Sequence, residues 1–382
     1  MAYNTLTGIR ASSEAAATSF WDGTAGALDT NGMPRLTRAY YMKTFLAVAE
    51  GKRLHSMWGQ QTTLPQGNGN TVMWRRYLKL TPATTPLTEG VTPTGSNLAY
   101  ENVLGTVKQY GDWVGITDIV TYLHPDNTLA QVTKALARQA ADTEEVVVRD
   151  IINAGTSFLR CSVDGTGTMA VVLTARVYTA ASLHKRALDT AITMLEGADA
   201  EYIHGQMNAS VKVNTSPLAP SYICIIHPHV AHDLQSVNIA AGTGAPSGMN
   251  TGDFIPRQKY ASGAVAYPTE IGSYRNVRFV TSTFAKVWAD SGAAATSGAT
   301  AASVFRATTA TDTAADVYSC LLIAKDAYGV IKLAGSSGTY YDAPGGQGDP
   351  VHQRSTAAWK RMMGAAILND DNMVRIECLA RW

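Results

Sequence analysis

Charged residues are scarce in this sequence, and their scarcity excludes several classes of protein. Only 16% of the 382 residues are charged, and 31 lysines and arginines nearly balance 30 aspartates and glutamates. An ordinary soluble domain has about a quarter charged residues. A net charge of +1 argues against a protein whose affinity for nucleic acid depends on clustered basic residues. Because charge keeps monomers soluble and apart, so little of it predicts a surface largely covered by copies of the same chain.

Paired cysteines, long apolar runs and an export signal are also lacking. No apolar run approaches the ~18 residues of a membrane span. The opening residues, MAYNTLTGIR, lack the basic and apolar regions of a secretory signal, so export is not expected. With 46% hydrophobic residues the chain can bury a substantial core and is not expected to be disordered. The cysteines are far apart without a CxxC pair, which predicts free thiols in a reducing compartment at Cys161, Cys224, Cys320 and Cys378.

The first half of the chain predicts an arm, a helix and a ribbon. Residues 1 to about 35 are rich in Ala, Ser, Thr and Gly and predict an arm held by a neighbouring subunit. A helical pattern follows over 38–50. Residues 64–120 predict a long two-stranded ribbon, with strands at 71–80 and 106–120 around an irregular tip. Because a lone hairpin is marginal in water, this ribbon requires an outside surface.

The clearest helical pattern starts near Asp126 and runs to about Asn153. Its apolar spacing predicts a rod of ~27 residues. Residues 290–316 are almost entirely Ala, Thr, Ser and Gly, and predict a surface insertion. Further helices are expected at 180–196 and up to Gln235, and residues 356–368 suit either a short helix or a strand. Strands are expected at 222–226, 277–282, 318–325, 328–333 and 373–379.

Candidate catalytic motifs are weak. His227, His229 and His232 form HxHxxH, which suits zinc or iron, but the remaining ligands are missing at a recognisable spacing. The alternative is three ordinary histidines at a strand-to-helix turn. The carboxylate pair Glu144-Glu145 is expected on a solvated face or in ion pairs between subunits. We therefore predict no catalytic residue, no metal site and no cofactor.

Basic residues beside aromatic ones indicate contacts between subunits. Such stretches can bind nucleic acid, but the weak overall charge favours salt bridges and stacking between subunits instead. The pairs Arg75-Arg76 and Lys360-Arg361 both have aromatic neighbours in the sequence. The predicted intersubunit contact residues are Arg38, Tyr41, Trp74, Arg75, Arg76, Tyr77, Glu89, Asp112, Trp113, Arg354 and Trp359.

Four blocks of sequence, spread in order from residue 38 to residue 368, resemble one protein family. They are RAYYMKTFL from Arg38, LPQGNGNTVMWRRY from Leu64 with PLTEGVTP from Pro86, QYGDWVGITD from Gln109, and DPVHQR from Asp349 with AAIL from Ala365. In these blocks the chain resembles the tailed-bacteriophage major capsid proteins of the podovirus-associated group, which adopt the Hong Kong 97-type fold. The insertion at 290–316 has no counterpart in that pattern.

The resemblance implies an α+β fold in four parts. They are an N-terminal arm at 1–60, an extended β-ribbon loop at 61–121 that overlies an adjacent subunit, a peripheral domain with a long spine helix at 122–180 and 346–382, and an axial domain at 181–345 that carries the insertion. The implied function is structural and not enzymatic. Pentamers and hexamers would form an icosahedral shell around packaged double-stranded DNA.

The resemblance also implies partners and a location. The chain would be assembled in the bacterial cytoplasm and reside in the virion, with a separate scaffolding protein and a portal, while a decoration protein is left open. Contact with DNA would be weak and nonspecific, and no membrane is involved. Two alternatives stay open. One is a metal-dependent enzyme using His227, His229 and His232, and the other is a phage tail or decoration subunit, against which the long spine helix argues.

Overall fold

The computed structural model describes only part of the chain. The described residues are 53–123, 128–163, 169–203, 220–236, 254–260, 267, 269–293, 314–342 and 351–380. The chain divides into two compact units, Met1–Val48 and Ala49–Trp382, and all described residues belong to the second. The predicted helix at 38–50, with Arg38 and Tyr41, therefore lies outside the described residues, as does 294–313 of the predicted insertion.

A five-stranded sheet is organised around one long strand, β15 (Arg354–Ile367). On one side β15 runs antiparallel to β4 (Lys108–Thr117), from Arg354 opposite Thr117 to Met363 opposite Lys108. On its other side it pairs with β13 (Tyr328–Leu333) and β14 (Gly338–Asp342). Strand β1 (Gln60–Leu64) adds in parallel to β13. The choice between helix and strand for residues 356–368 is thus settled as strand.

The long helix, α2 (Thr128–Ile152), confirms the predicted rod at 25 residues. A short helix, α1 (Asp118–Leu123), precedes it after β4. Near its first half Leu136 packs against Ala357 and Trp359 of β15. Near its end Val148 and Ile152 enter a core shared with the second sheet. One apolar stripe therefore ties the helix to both sheets.

The second sheet has nine strands, and its central strands are buried on both faces. Helices α3 (Lys185–Gly197) and α4 (Pro228–Ser236) cover one face, with Leu188, Ile192 and Leu234 in the core beneath them. The end of α2 packs against the other face. In spatial order the strands are β6 (Met169–Val172), β5 (Phe158–Val163), β16 (Met373–Leu379), β12 (Val317–Ile323), β7 (Tyr222–Ile226), β10 (Val277–Thr281), β9 (Glu270–Tyr274) and β8 (Ile255–Pro256), with β11 (Val287–Trp288) beside β12.

The ribbon consists of β2 (Thr71–Tyr77) and β3 (Tyr100–Thr106), paired from Thr71 opposite Thr106 to Tyr77 opposite Tyr100. The prediction that 106–120 forms the returning strand is wrong, because Lys108–Thr117 pairs with β15 instead. That partner is more than two hundred residues away in sequence, so local alternation cannot reveal it. The predicted irregular tip, from Pro82 to Gly95, lies within residues 78–99, which contain no strand.

Sheet membership also departs from the sequence-based domain boundaries. The predicted peripheral segments 122–180 and 346–382 contribute β5, β6 and β16 to the nine-stranded sheet. The predicted axial segment 181–345 contributes β13 and β14 to the five-stranded sheet. Both predicted domains therefore contribute strands to both sheets. None of the described helices is long and apolar enough to cross a membrane.

Candidate assembly surfaces

The ribbon presents two different faces. Exposure alternates along β2 from Thr71 to Tyr77, so successive side chains point to opposite sides. Val72, Trp74 and Arg76 lie on the half-buried side. The opposite side is exposed, and the polar pair Arg75–Asn102 separates its large side chains into two clusters. Its large side chains are Met73, Tyr77, Tyr100 and Leu104, each more than half exposed.

Trp74 anchors the ribbon to its own subunit. Its indole packs in a small core with Leu64, Val107 and Ile331. A β-carbon added at Gly329 of β13 would lie 2.7 Å from Cζ2 of Trp74, and one added at Gly105 would lie 2.6 Å from its Cζ3. The ring therefore lies directly on the backbone of two strands, which only glycine permits. The described contacts of Trp74, a predicted intersubunit residue, are within the subunit.

The neighbours of Trp74 pair across the ribbon. Nη2 of Arg76 lies 2.7 Å from Oε2 of Glu101, and Nε of Arg75 donates to Oδ1 of Asn102 at 3.2 Å. The Arg75 guanidinium also lies 4.5 Å from the centre of the Tyr100 ring. Exposed pairs of this kind contribute little stability each. They instead fix the directions in which the ribbon side chains project.

A second group of predicted contact residues lies on β4 and β15. Nε2 of Gln139 donates to Oδ2 of Asp112 at 2.5 Å, and Nε1 of Trp359 donates to Oε1 of Gln139 at 3.0 Å. The bond from Gln139, with a second from the backbone N–H of Trp113, lowers the pKa of Asp112. Trp359 is only 5% exposed, so its contacts lie inside the subunit. Sequence reasoning predicted Trp359 at an intersubunit contact because aromatic residues beside charged ones are common at interfaces. The structure buries it inside the subunit instead.

The remaining predicted contact residues are exposed. Glu89 lies on the irregular tip between β2 and β3, and Arg354 opens β15 opposite Thr117. Trp113 is 64% exposed on β4. The structure therefore separates the described contact candidates into a ribbon group and a β4–β15 group, which do not form one site.

Sequence reasoning missed an exposed apolar surface next to Trp113. It continues from β4 into α1 through Ile119 and Tyr122, and the latter is 83% exposed. On the other side of β15, Tyr340 and Tyr341 of β14 are each more than half exposed beside a groove against α2. Adjacent tyrosines in one strand place a ring on each face of the sheet, and this was the available signal.

The histidine motif does not assemble a metal site. The rings of His227 and His229 lie 4.4 Å apart, and Nδ1 of His229 lies 3.0 Å from the hydroxyl of Tyr318. The side chain of His232 is 69% exposed beside Asp233. Across the described ranges, no group of three or more His, Cys, Asp or Glu side chains could hold a metal ion. The arrangement fits the ordinary strand-to-helix turn better than a metal centre.

Comparisons with known proteins agree with this architecture. No curated protein matches the chain. The chain is similar to the capsid of Ralstonia phage GP4, at 12% identity and a TM-score of 0.59 over 93% of this chain and 98% of that one. It is similar to the capsid asymmetric unit of cyanophage Pam1, at 12% identity and a TM-score of 0.56 over 94% and 99%. It is also similar to the capsid structure of cyanophage P-SCSP1u, at 15% identity and a TM-score of 0.54 over 92% and 97%.

These similarities confirm the predicted α+β class as a capsid fold of the Hong Kong 97 type, since identities this low speak for the fold alone. A family of proteins described as phage capsid protein matches residues 100–332, which is more than half of the chain. That family is structural, so the enzyme alternative gains no support. The chain belongs to the phage capsid protein family and is a structural component of a bacteriophage virion.

Proposed function

We propose that this capsid protein is the major subunit of a tailed-phage head and assembles as pentamers and hexamers into an icosahedral shell around double-stranded DNA. The observation that carries the proposal is the exposed apolar face of the ribbon, formed by Met73, Tyr77, Tyr100 and Leu104. Two exposed clusters of large side chains on one thin ribbon are typical of a surface that a partner covers. In a closed ring of identical subunits, every ribbon has a neighbour to cover it.

The finer assignment is to the podovirus-associated group of these proteins. It rests on the sequence blocks at 38–46, 64–77, 109–118 and 349–354. A separate scaffolding protein and a portal complete the assembly, and binding of a decoration protein is left open. The net charge of +1 favours weak and nonspecific contact with the packaged DNA.

The four-part organisation is retained with shifted boundaries. The peripheral domain comprises the five-stranded sheet and α2, with residues 108–152 and 328–367 as its main segments. The axial domain comprises the nine-stranded sheet with α3 and α4, at 158–323 and 373–379. The extended loop is limited to 71–106 and the arm precedes β1. Strand pairing supports this division, because each sheet is joined by its own backbone hydrogen bonds.

Electron microscopy of the full-length chain expressed in bacteria, with its scaffolding protein where that is required, tests this function. We expect closed shells of uniform size from the wild type. Leu104→Asp places a charge on the ribbon face without touching the core, and should lower shell yield at least about tenfold while circular dichroism stays unchanged. Leu173→Asp is the matched control, since Leu173 is 67% exposed outside the ribbon.

Two results would contradict the proposal. Normal shells from Leu104→Asp would show that the ribbon face does not contribute to assembly. Tubes, or dispersed monomers under every condition that supports expression, would favour a tail or decoration subunit over a head subunit.

A further inference from the structure

We propose that Glu145 of α2 is the positioning residue that fixes residues 53–56, the segment between the predicted N-terminal arm and β1, and that assembly depends on this fixed segment. The inference rests on the proposed function for its second half. Its first half concerns contacts among residues 53–56 and α2 within a single subunit.

The side chain of Glu145 is completely buried, and its described contacts all go to one short segment of chain. Oε1 accepts hydrogen bonds from the backbone N–H of Leu54 at 2.5 Å and of His55 at 2.8 Å. The same oxygen lies 2.7 Å from Nδ1 of His55. Oε2 accepts from the backbone N–H of Ser56 at 3.4 Å. Three successive amides thus converge on one carboxylate.

This segment has no regular secondary structure to satisfy its backbone. Residues 53–59 form turns before β1 begins at Gln60, so their amides lack strand or helix partners. Buried backbone N–H groups require acceptors, and Glu145 supplies them. On the acceptor side, the hydroxyl of Tyr328 donates to the carbonyl of His55. One turn earlier on α2, Asp142 holds Nε of Arg53 at 2.8 Å.

The adjacent carboxylate shows that this arrangement is not a general feature of buried acids on α2. Glu144 lies 2.7 Å from Nζ of Lys332 on β13 and 2.5 Å from Nη1 of Arg361 on β15. Glu144 therefore ties the helix to the sheet, whereas Glu145 ties the incoming chain to the helix. Sequence reasoning expected both residues on a solvated face or in ion pairs between subunits, and both are buried within the subunit.

The charge on Glu145 is maintained despite its burial. Burial alone would raise the pKa of this carboxyl, but the bonds and charge from His55, with the amides of His55 and Leu54, hold it below its ordinary value. An ionised carboxylate accepts stronger hydrogen bonds than a neutral side chain. A neutral isostere at position 145 would therefore keep the shape of the site and weaken its hold on the amides.

Glu145→Gln, with Glu144→Gln as matched control, tests both halves in the full-length chain. Hydrogen exchange measures the amides of Leu54, His55 and Ser56, and electron microscopy measures shells. We expect Glu145→Gln to speed exchange at these amides about tenfold or more and to give few or irregular shells. Glu144→Gln should leave these amides protected. If Glu145→Gln fails to fold, His55→Leu, which removes only the side-chain bond, should produce a smaller shift in the same direction.

The outcomes separate the inference from the proposed function. Unchanged hydrogen exchange at residues 54–56 in Glu145→Gln would show that Glu145 does not fix this segment. Faster exchange with normal shells would overturn its importance for assembly and leave the head function intact. Absence of shells from the wild type under every condition would instead refute the proposed function. The exchange result would still show whether Glu145 fixes residues 54–56.

Discussion

The contact between Trp74 and Gly329 can be tested by a double-mutant cycle. Trp74→Ala removes an indole that packs on the backbone of β3 and β13. A fully buried tryptophan costs about 3–5 kcal/mol when truncated to alanine, and Trp74 is half-buried, so we expect about 2 kcal/mol. That free energy corresponds to about thirtyfold faster local opening of the ribbon.

Gly329→Ala perturbs the same contact from the other side. Its added β-carbon would meet three atoms of the Trp74 ring, the nearest at 2.7 Å. Overpacking of this kind costs about 1–3 kcal/mol. In the Trp74→Ala background the obstructing ring is gone, so Gly329→Ala should cost almost nothing. The cycle should therefore give a coupling of about 1–2 kcal/mol, well above the error of additive sites.

Hydrogen exchange of the β2 and β3 amides is the assay, because it reports opening of the ribbon separately from unfolding of the body. The amides of Val72 and Val103 serve as reporters, because both belong to hydrogen-bonded pairs of the two strands. Additive costs of the two substitutions would show that the indole does not rest on β13. The ribbon would then lack this anchor to its own subunit, and Trp74 would return to the set of intersubunit candidates.

Three further predictions concern acid stability, thiols and the insertion. The folded protein lowers the pKa values of Glu145 and Glu377, so the stability they provide is complete above about pH 4.5 and is lost as the pH falls through their folded pKa values. The melting temperature should therefore drop below about pH 4.5. A melting temperature that does not change with pH in this range would contradict the prediction. Ellman's reagent should find no reactive thiol in the native protein and all four in denaturant, since every cysteine is buried. Replacing 294–313 by a short turn should leave melting nearly unchanged, because Gly292 and Ala315 already pair at the base of the insertion; a large drop would show that the insertion supports the body.

Local patterns in the sequence were sufficient to predict the main elements. The apolar spacing of Leu129, Val132 and Leu136 predicts α2, although its end buries Val148 and Ile152 rather than the predicted Val147 and Ile151. A continuous apolar run marks Tyr222–Ile226 as a buried strand. These features depend on neighbours within a few residues. For the same reason the alternating exposure of β2 could be predicted before its partner was known.

Features set by distant partners could not be predicted in this way. Glu145 looks like half of an exposed acidic pair until residues ninety positions earlier are seen to converge on it. Trp359 looks like an interface residue until α2 is placed over β15. The pairing of β4 with β15 likewise joins segments that no local period connects. In each case burial is decided by tertiary contacts, which residue type alone does not encode.

Some of the few charges of this protein are buried inside the described part of the subunit, where they cannot bind a neighbouring subunit. The carboxylate of Glu377 is fully buried among the guanidinium groups of Arg160, Arg176 and Arg375, with nitrogen–oxygen distances of 2.7, 2.9 and 3.0 Å. Buried pairs are screened little by salt, whereas exposed pairs more than a Debye length apart are screened strongly. The ribbon face offers apolar side chains instead. Shell yield should therefore persist at about 1 M NaCl, measured by sedimentation, and collapse at that salt would show that charge pairs between subunits carry the assembly.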